Sequence, residues 1–158
     1  MKLLVFIFIL AFQACAQPKV DGIQDNRYDT YYDRFKADAQ KENVNVNPYD
    51  IPIYTVDEIK SNNLNSNYYI GAQCSMYYKY ITVNNKVWQK VTETCKEQII
   101  YHELGHCLLL RDHKDDKITL NGELMPASLM ISINLPCVYD STYQNRDYYI
   151  HELFHPSN

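Results

Sequence analysis

An α+β fold is expected, with a small twisted sheet packed on one long helix and a second helix at the C-terminal end. Three stretches predict it. "YYIGAQCSMYYKYITVNNKVWQKV", residues 68–91, is rich in aromatic and β-branched residues, which favour strands. "IIYHELGHCLLL", residues 99–110, is long, apolar and helix-competent, and Thr94-Cys95-Lys96-Glu97 before it has the Thr-x-x-Glu pattern of a capping box. "DYYIHELFHPSN" closes the chain; its Ile150, Leu153 and Phe154 share one helical face, and Pro156 ends the run.

The elements follow in chain order. Met1-Lys2 precedes "LLVFIFILAF", an apolar run about half the length of the roughly 20 residues that span a bilayer. It has the character of a secretory signal peptide over residues 1–16. Ala14-Cys15-Ala16 offers a small-x-small cleavage site; Phe12-Gln13-Ala14-Cys15 offers an imperfect lipobox that would make Cys15 a lipid-anchored first residue. Either route exports the protein, to the cell envelope or beyond it. Residues 17–48 read as a polar lead-in with a short helix near Tyr31 to Gln40 and an Asn-rich loop, and residues 49–158 as the domain that carries the chemistry. "DIPIYTVDEIKSNN" reads as a strand followed by a helical turn, residues 111–123 as a loop, and "LMPASLMISINLP" as an apolar turn region.

Composition narrows the function classes. A chain of 158 residues with 46% hydrophobic and 22% charged content can bury a core as one soluble domain. The net charge of −4 gives no basic footprint for nucleic acid. Fifteen tyrosines are read first as a composition bias. Of five cysteines, four remain beyond Cys15, namely Cys74, Cys95, Cys107 and Cys137, and in an exported domain these predict two disulfides with three possible connectivities. A Cys95–Cys107 bridge is disfavoured, because one continuous helix would hold the two about 18 Å apart.

Four of the five histidines lie in two copies of His-Glu-x-x-His, at His102–His106 and His151–His155, and the fifth, His113, follows the first copy closely. At spacing i, i+4 two imidazoles sit one helical turn apart on one face and can converge on one zinc ion. Glu103, next to the first histidine, is placed to act as general acid/base toward a zinc-activated water. A zinc hydrolase also needs a third protein ligand and an open position. His113 and Asp112 are the candidates; His113 is favoured, since imidazole is the commoner third partner. On a continuing helix His113 would lie about 10 Å beyond His106, so the helix must break near Leu109 to Arg111 and fold back. In the second copy His151 and His155 fall on the solvent flank, with no room downstream for a third ligand. That copy is read as an amphipathic terminal helix.

"HELGHCLLLRDH" followed by "PASLMIS" resembles the metzincin zinc peptidases, and in particular small exported metallopeptidases with a "HELGHC" core. The likeness covers roughly residues 68–155. It implies zinc ligands at His102, His106 and His113 (or Asp112), Glu103 as general base, Met130 as the methionine of a Met-turn, and a protein or peptide substrate cleaved by a monomer. Ile81-Thr82-Val83-Asn84 resembles the strand that borders the cleft in such folds, where an extended substrate would pair. Tyr139 or Tyr143 would be an oxyanion donor. Leu109 stands where the family has glycine, so the tight turn must be made another way. Two other readings stay open: a non-catalytic envelope lipoprotein with a structural zinc, and a gluzincin arrangement in which Glu123 or Glu152 is the third ligand.

Overall fold

The computed structural model describes residues 20–59, 70–132 and 145–156. The expected signal peptide and lipobox, the helical turn expected after Glu58, and Cys137, Tyr139 and Tyr143 lie outside the described residues.

Among the described residues, six strands and four α-helices follow in order: β1 (Ile23–Gln24), α1 (Asp29–Lys41), β2 (Ile53–Val56), β3 (Ala72–Ser75), β4 (Tyr80–Asn84), α2 (Asn85–Trp88), α3 (Glu93–Cys107), β5 (Lys117–Leu120), β6 (Glu123–Pro126) and α4 (Arg146–Phe154). The main sheet has the order β1-β2-β4-β3; β2 and β4 run parallel, and both outer pairs are antiparallel. The expected α+β architecture is the one observed.

β4 is not an edge strand. It pairs with β2 on one side and β3 on the other, so it has no free edge, and the edge strand is β3. Asn84 N donates to Gly71 O at 2.9 Å, and with the register this directs the backbone groups of Ala72 and Cys74 away from β4. In β4 the side chains alternate, Ile81 and Val83 buried and Tyr80 and Thr82 half-buried, so one face of the sheet meets the helices.

That face packs on α3 through Ile100, Leu104 and Cys107, with Ile53, Ala72, Ile81 and Val83 opposite. The N-cap of α3 is Thr92, whose hydroxyl accepts from Cys95 N at 3.3 Å, rather than Thr94. Thr94 and Glu97 are instead buried, and Glu97 accepts from Arg146 at 2.9 Å and Arg34 at 3.2 Å. The Cys74–Cys107 disulfide ties β3 to the end of α3, and Cys95 is also disulfide-bonded.

The polar lead-in is part of the same core. Tyr28, Tyr31, Tyr32, Phe35 and Ala39 are buried, and Phe35 packs edge-on against Tyr101 of α3 and Phe154 of α4. A boundary at residue 49 therefore cuts through packed side chains. α1 reaches α3 at Tyr101 and Glu97, off the face that carries His102 and His106. The tyrosines also serve the core more than the surface. Tyr28, Tyr31, Tyr101 and Tyr149 bury their rings, and their hydroxyls bond Thr55 at 2.8 Å, Glu93 at 2.7 Å, Asp38 at 2.8 Å and Pro126 O at 3.0 Å. Such amphipathic rings fill a core where each hydroxyl finds a partner.

Residues 117–126, expected to be irregular, form the β5–β6 hairpin around Asn121-Gly122, both with positive φ. That is the Asn-Gly turn favoured in two-residue hairpins.

Candidate metal centre

α3 holds His102 and His106 on one face, one turn apart. Past Cys107 the helix stops. Leu109 N still reaches Leu104 O at 3.3 Å, Leu110 takes a left-handed φ of 56°, and Arg111 N turns back to Gly105 O at 2.9 Å. Leu110, exposed, thus supplies the reversal that glycine supplies elsewhere. Lys79 Nζ caps the freed carbonyl of Cys107 at 3.0 Å. The returning segment is stitched to residues 127–132: Lys114 N donates to Met130 O at 2.7 Å, Ala127 N to Asp116 O at 2.8 Å, and Ser132 N to Asp115 at 2.7 Å.

This fold-back brings His113 to the other two histidines. The Nε2 atoms of His106 and His102 are 3.1 Å apart, as are those of His106 and His113. All three donor atoms lie within 4.8 Å of one another, and this group excludes Asp112, Glu123 and Glu152. Four ligands around an ion at about 2.0–2.1 Å stand about 3.3 Å apart in a tetrahedron, close to the separations seen here.

Hydrogen bonding fixes the state of two rings. His102 Nδ1 donates to Leu129 O at 2.7 Å and His106 Nδ1 donates to Arg111 O at 2.6 Å. A carbonyl only accepts, so the proton sits on Nδ1 and leaves the Nε2 lone pair bare. Burial pushes His102 down to about 4 and lowers His106 as well, which keeps both neutral at pH 7. Bare lone pairs facing each other at 3.1 Å repel unless a cation lies between them. The donor set therefore fits a zinc ion.

Glu103 is buried at the free edge of the sheet. Burial pushes its carboxyl up to about 7, against the lowering effect of a hydrogen bond from Cys74 N–H. Among the described residues no cation pairs with it. Met130 is fully buried below the helix, where a Cβ on Gly105 would meet its Sδ at 2.5 Å. Gly105 is the residue that lets the methionine sit there.

Sequence reasoning missed the residues that support the ring-orienting carbonyls. Glu152, buried in α4, accepts from Arg111 Nη2 at 2.9 Å and from Ser128 Oγ at 2.5 Å. Arg111 Nη1 also donates to the carbonyls of Glu152 at 2.9 Å and Leu153 at 2.7 Å, and Ser128 Oγ accepts from Met130 N at 3.0 Å. One carboxylate thus braces Arg111, whose carbonyl holds His106, and Ser128, next to the Leu129 carbonyl that holds His102. Its signal was weak: by helix spacing Glu152 falls between Tyr149 and His155, at the border of the apolar side, and its burial is what shows a carboxylate that needs a cation. Glu123, the other gluzincin candidate, is exposed on β6.

Comparison with protein-family models, curated proteins and solved structures yields no match for this chain.

Proposed function

We propose that the chain is an exported zinc endopeptidase of metzincin-like design, acting as a monomer on protein or peptide substrates. The observation that carries this reading is the set of three converging Nε2 atoms with a buried carboxylate on the same helix that has no cation partner among the described residues. His102, His106 and His113 would hold the ion. Bound zinc would supply a Lewis acid that acidifies water and polarises the scissile carbonyl.

The chain's own residues do the rest. The Leu129 and Arg111 carbonyls keep the imidazoles neutral and aimed. Glu103 takes a proton from the attacking water and returns it to the departing amine; a carboxyl pushed toward neutrality suits both halves of that task. The outward backbone groups of Ala72 suit an extended peptide added to the edge of β3, and the Cys74 N–H on Glu103 places the carboxylate beside that edge. Export is supported by the N-terminal sequence and by the disulfides, which persist in oxidising compartments.

The test compares wild type with Glu103→Ala for bound zinc and for hydrolysis of casein or a peptide library. Equal zinc with turnover reduced on the order of 10²–10⁴-fold is expected. Equal zinc and equal turnover would remove the catalytic role. Separate His113→Ala and Asp112→Ala variants should lose and keep, respectively, the zinc held by His102 and His106; the reverse pattern would reassign the third ligand to Asp112.

A further inference from the structure

The second His-Glu-x-x-His copy has a third donor after all, and it comes from upstream. Glu42, the residue that follows α1, lies against the end of α4. Its Oε2 is 2.8 Å from His151 Nδ1 and 3.4 Å from His155 Nε2. His155 Nε2 is also 3.0 Å from the carbonyl oxygen of Glu42, which only accepts, so without an ion that nitrogen carries a proton that a bound cation would displace. The three side-chain donor atoms lie within 4.8 Å of one another. We propose that Glu42, His151 and His155 form a second site for a divalent d-block cation such as zinc, one that clamps the end of α4 to the end of α1.

Geometry and chemistry both favour a shared ion. The separations of 2.8 and 3.4 Å straddle the roughly 3.3 Å between ligand atoms around a tetrahedral zinc. Two imidazoles and one carboxylate suit zinc and its neighbours, whereas calcium and magnesium need mostly oxygen. Both donor elements are fixed before any ion arrives. Glu42 N caps α1 on Asp38 O at 3.0 Å, and Leu153 and Phe154 anchor α4 in the core. The histidines are exposed, so an ion enters from solvent and keeps water in its remaining positions. The site has no hydrolytic role, because Glu152, the carboxylate of this copy, is already bound to Arg111 and Ser128. Its effect is on the stability of α4, the helix whose Glu152 braces the first centre. The inference does not rest on the peptidase reading.

The test is zinc counting on the exported chain after equilibrium dialysis, with wild type, His102→Ala, and His151→Ala combined with His155→Ala. Wild type should hold two zinc ions, and each variant one. Loss of an ion only in the His151/His155 variant would uphold this site and remove the first. Loss only in His102→Ala would overturn this site and leave the first. A second measurement uses melting temperature. Zinc should raise that of His102→Ala, and Glu42→Gln in that background should abolish the rise; no rise in His102→Ala overturns the proposal.

Discussion

In α3 the glutamate of His-Glu-x-x-His is buried beside a backbone N–H of a sheet edge. In α4 the matching glutamate is buried beside a guanidinium and a hydroxyl. Both follow their first histidine by one residue, so both leave the helix at the same angle to the imidazole face. Glu103, without a cation among the described residues, is pushed up to about 7 by burial and is free to exchange a proton. Glu152 is taken up by Arg111 and Ser128 and holds structure. The fourth letter differs too: Gly105 opens space for Met130, while Phe154 fills the core against Phe35. What a motif does is thus decided by what packs on each of its faces.

Converting each glutamate to glutamine should separate the roles most strongly. Glu103→Gln is expected to lower turnover on the order of 10²–10⁴-fold while zinc content stays constant. Glu152→Gln should cost about 3–5 kcal/mol in denaturant unfolding, because the largely buried Arg111 loses its charge partner. It should also weaken zinc about 10–100-fold through the loosened carbonyls. If Glu152→Gln melts like wild type, the bracing role is wrong.

The other end of α4 gives a pH-dependent test. Arg146 donates to Asp38 at 2.6 Å and to Glu97 at 2.9 Å. Burial alone would raise Asp38, but hydrogen bonds from Arg146 and Tyr101 hold it below its ordinary value. A depressed carboxyl stabilises the fold above its unfolded value near 3.8, and that contribution is lost as pH falls through the lower folded value. Asp38→Asn should therefore cost about 3 kcal/mol at pH 7, with a smaller deficit at pH 3. A deficit that does not change with pH would mean that Asp38 acts through packing rather than charge.

The sequence made the α+β class, the three long helices and the first histidine pair readable, because each rests on a local period or a fixed spacing. Contacts between distant segments were not readable in this way. Nothing near Glu42 marks it as a neighbour of His151, and nothing in residues 17–48 marks α1 as core, since its buried positions include Tyr31, Tyr32 and Asp38, whose polar atoms pair across the fold. The β5–β6 hairpin was readable and was overlooked: Asn121-Gly122 sits between two short alternating runs, but the charges at residues 111–117 masked it. The edge strand was misplaced by one, because Ile81 and Val83 are the more strand-like residues while edge position depends on pairing order.

Two smaller effects probe how the α3 copy is shaped for Met130 and for the return of His113. Gly105→Ala places a Cβ 2.5 Å from Met130 Sδ and 3.2 Å from Leu153 Cδ1. A cost of about 1–3 kcal/mol is expected from overpacking, with reduced zinc affinity as Met130 is pushed from beneath the histidines. Phe154→Leu in α4 should cost a comparable amount through lost packing and leave first-site zinc affinity unchanged; equal effects on zinc would erase the distinction between the two copies.

Leu110→Gly should give the smallest change. The left-handed φ of 56° costs a residue with a Cβ roughly 1–2 kcal/mol, and glycine relieves it. The freer unfolded chain takes back about 0.4–1 kcal/mol, and the exposed Leu110 side chain has little packing to lose. A net gain of under about 1 kcal/mol in the denaturant midpoint is expected, with zinc affinity unchanged. The end of α4, where His155 keeps a negative φ before Pro156, has no such strain to relieve. If Leu110→Gly instead loosens zinc, the leucine's stiffness, and not just the turn it makes, is what delivers His113 to the other two histidines.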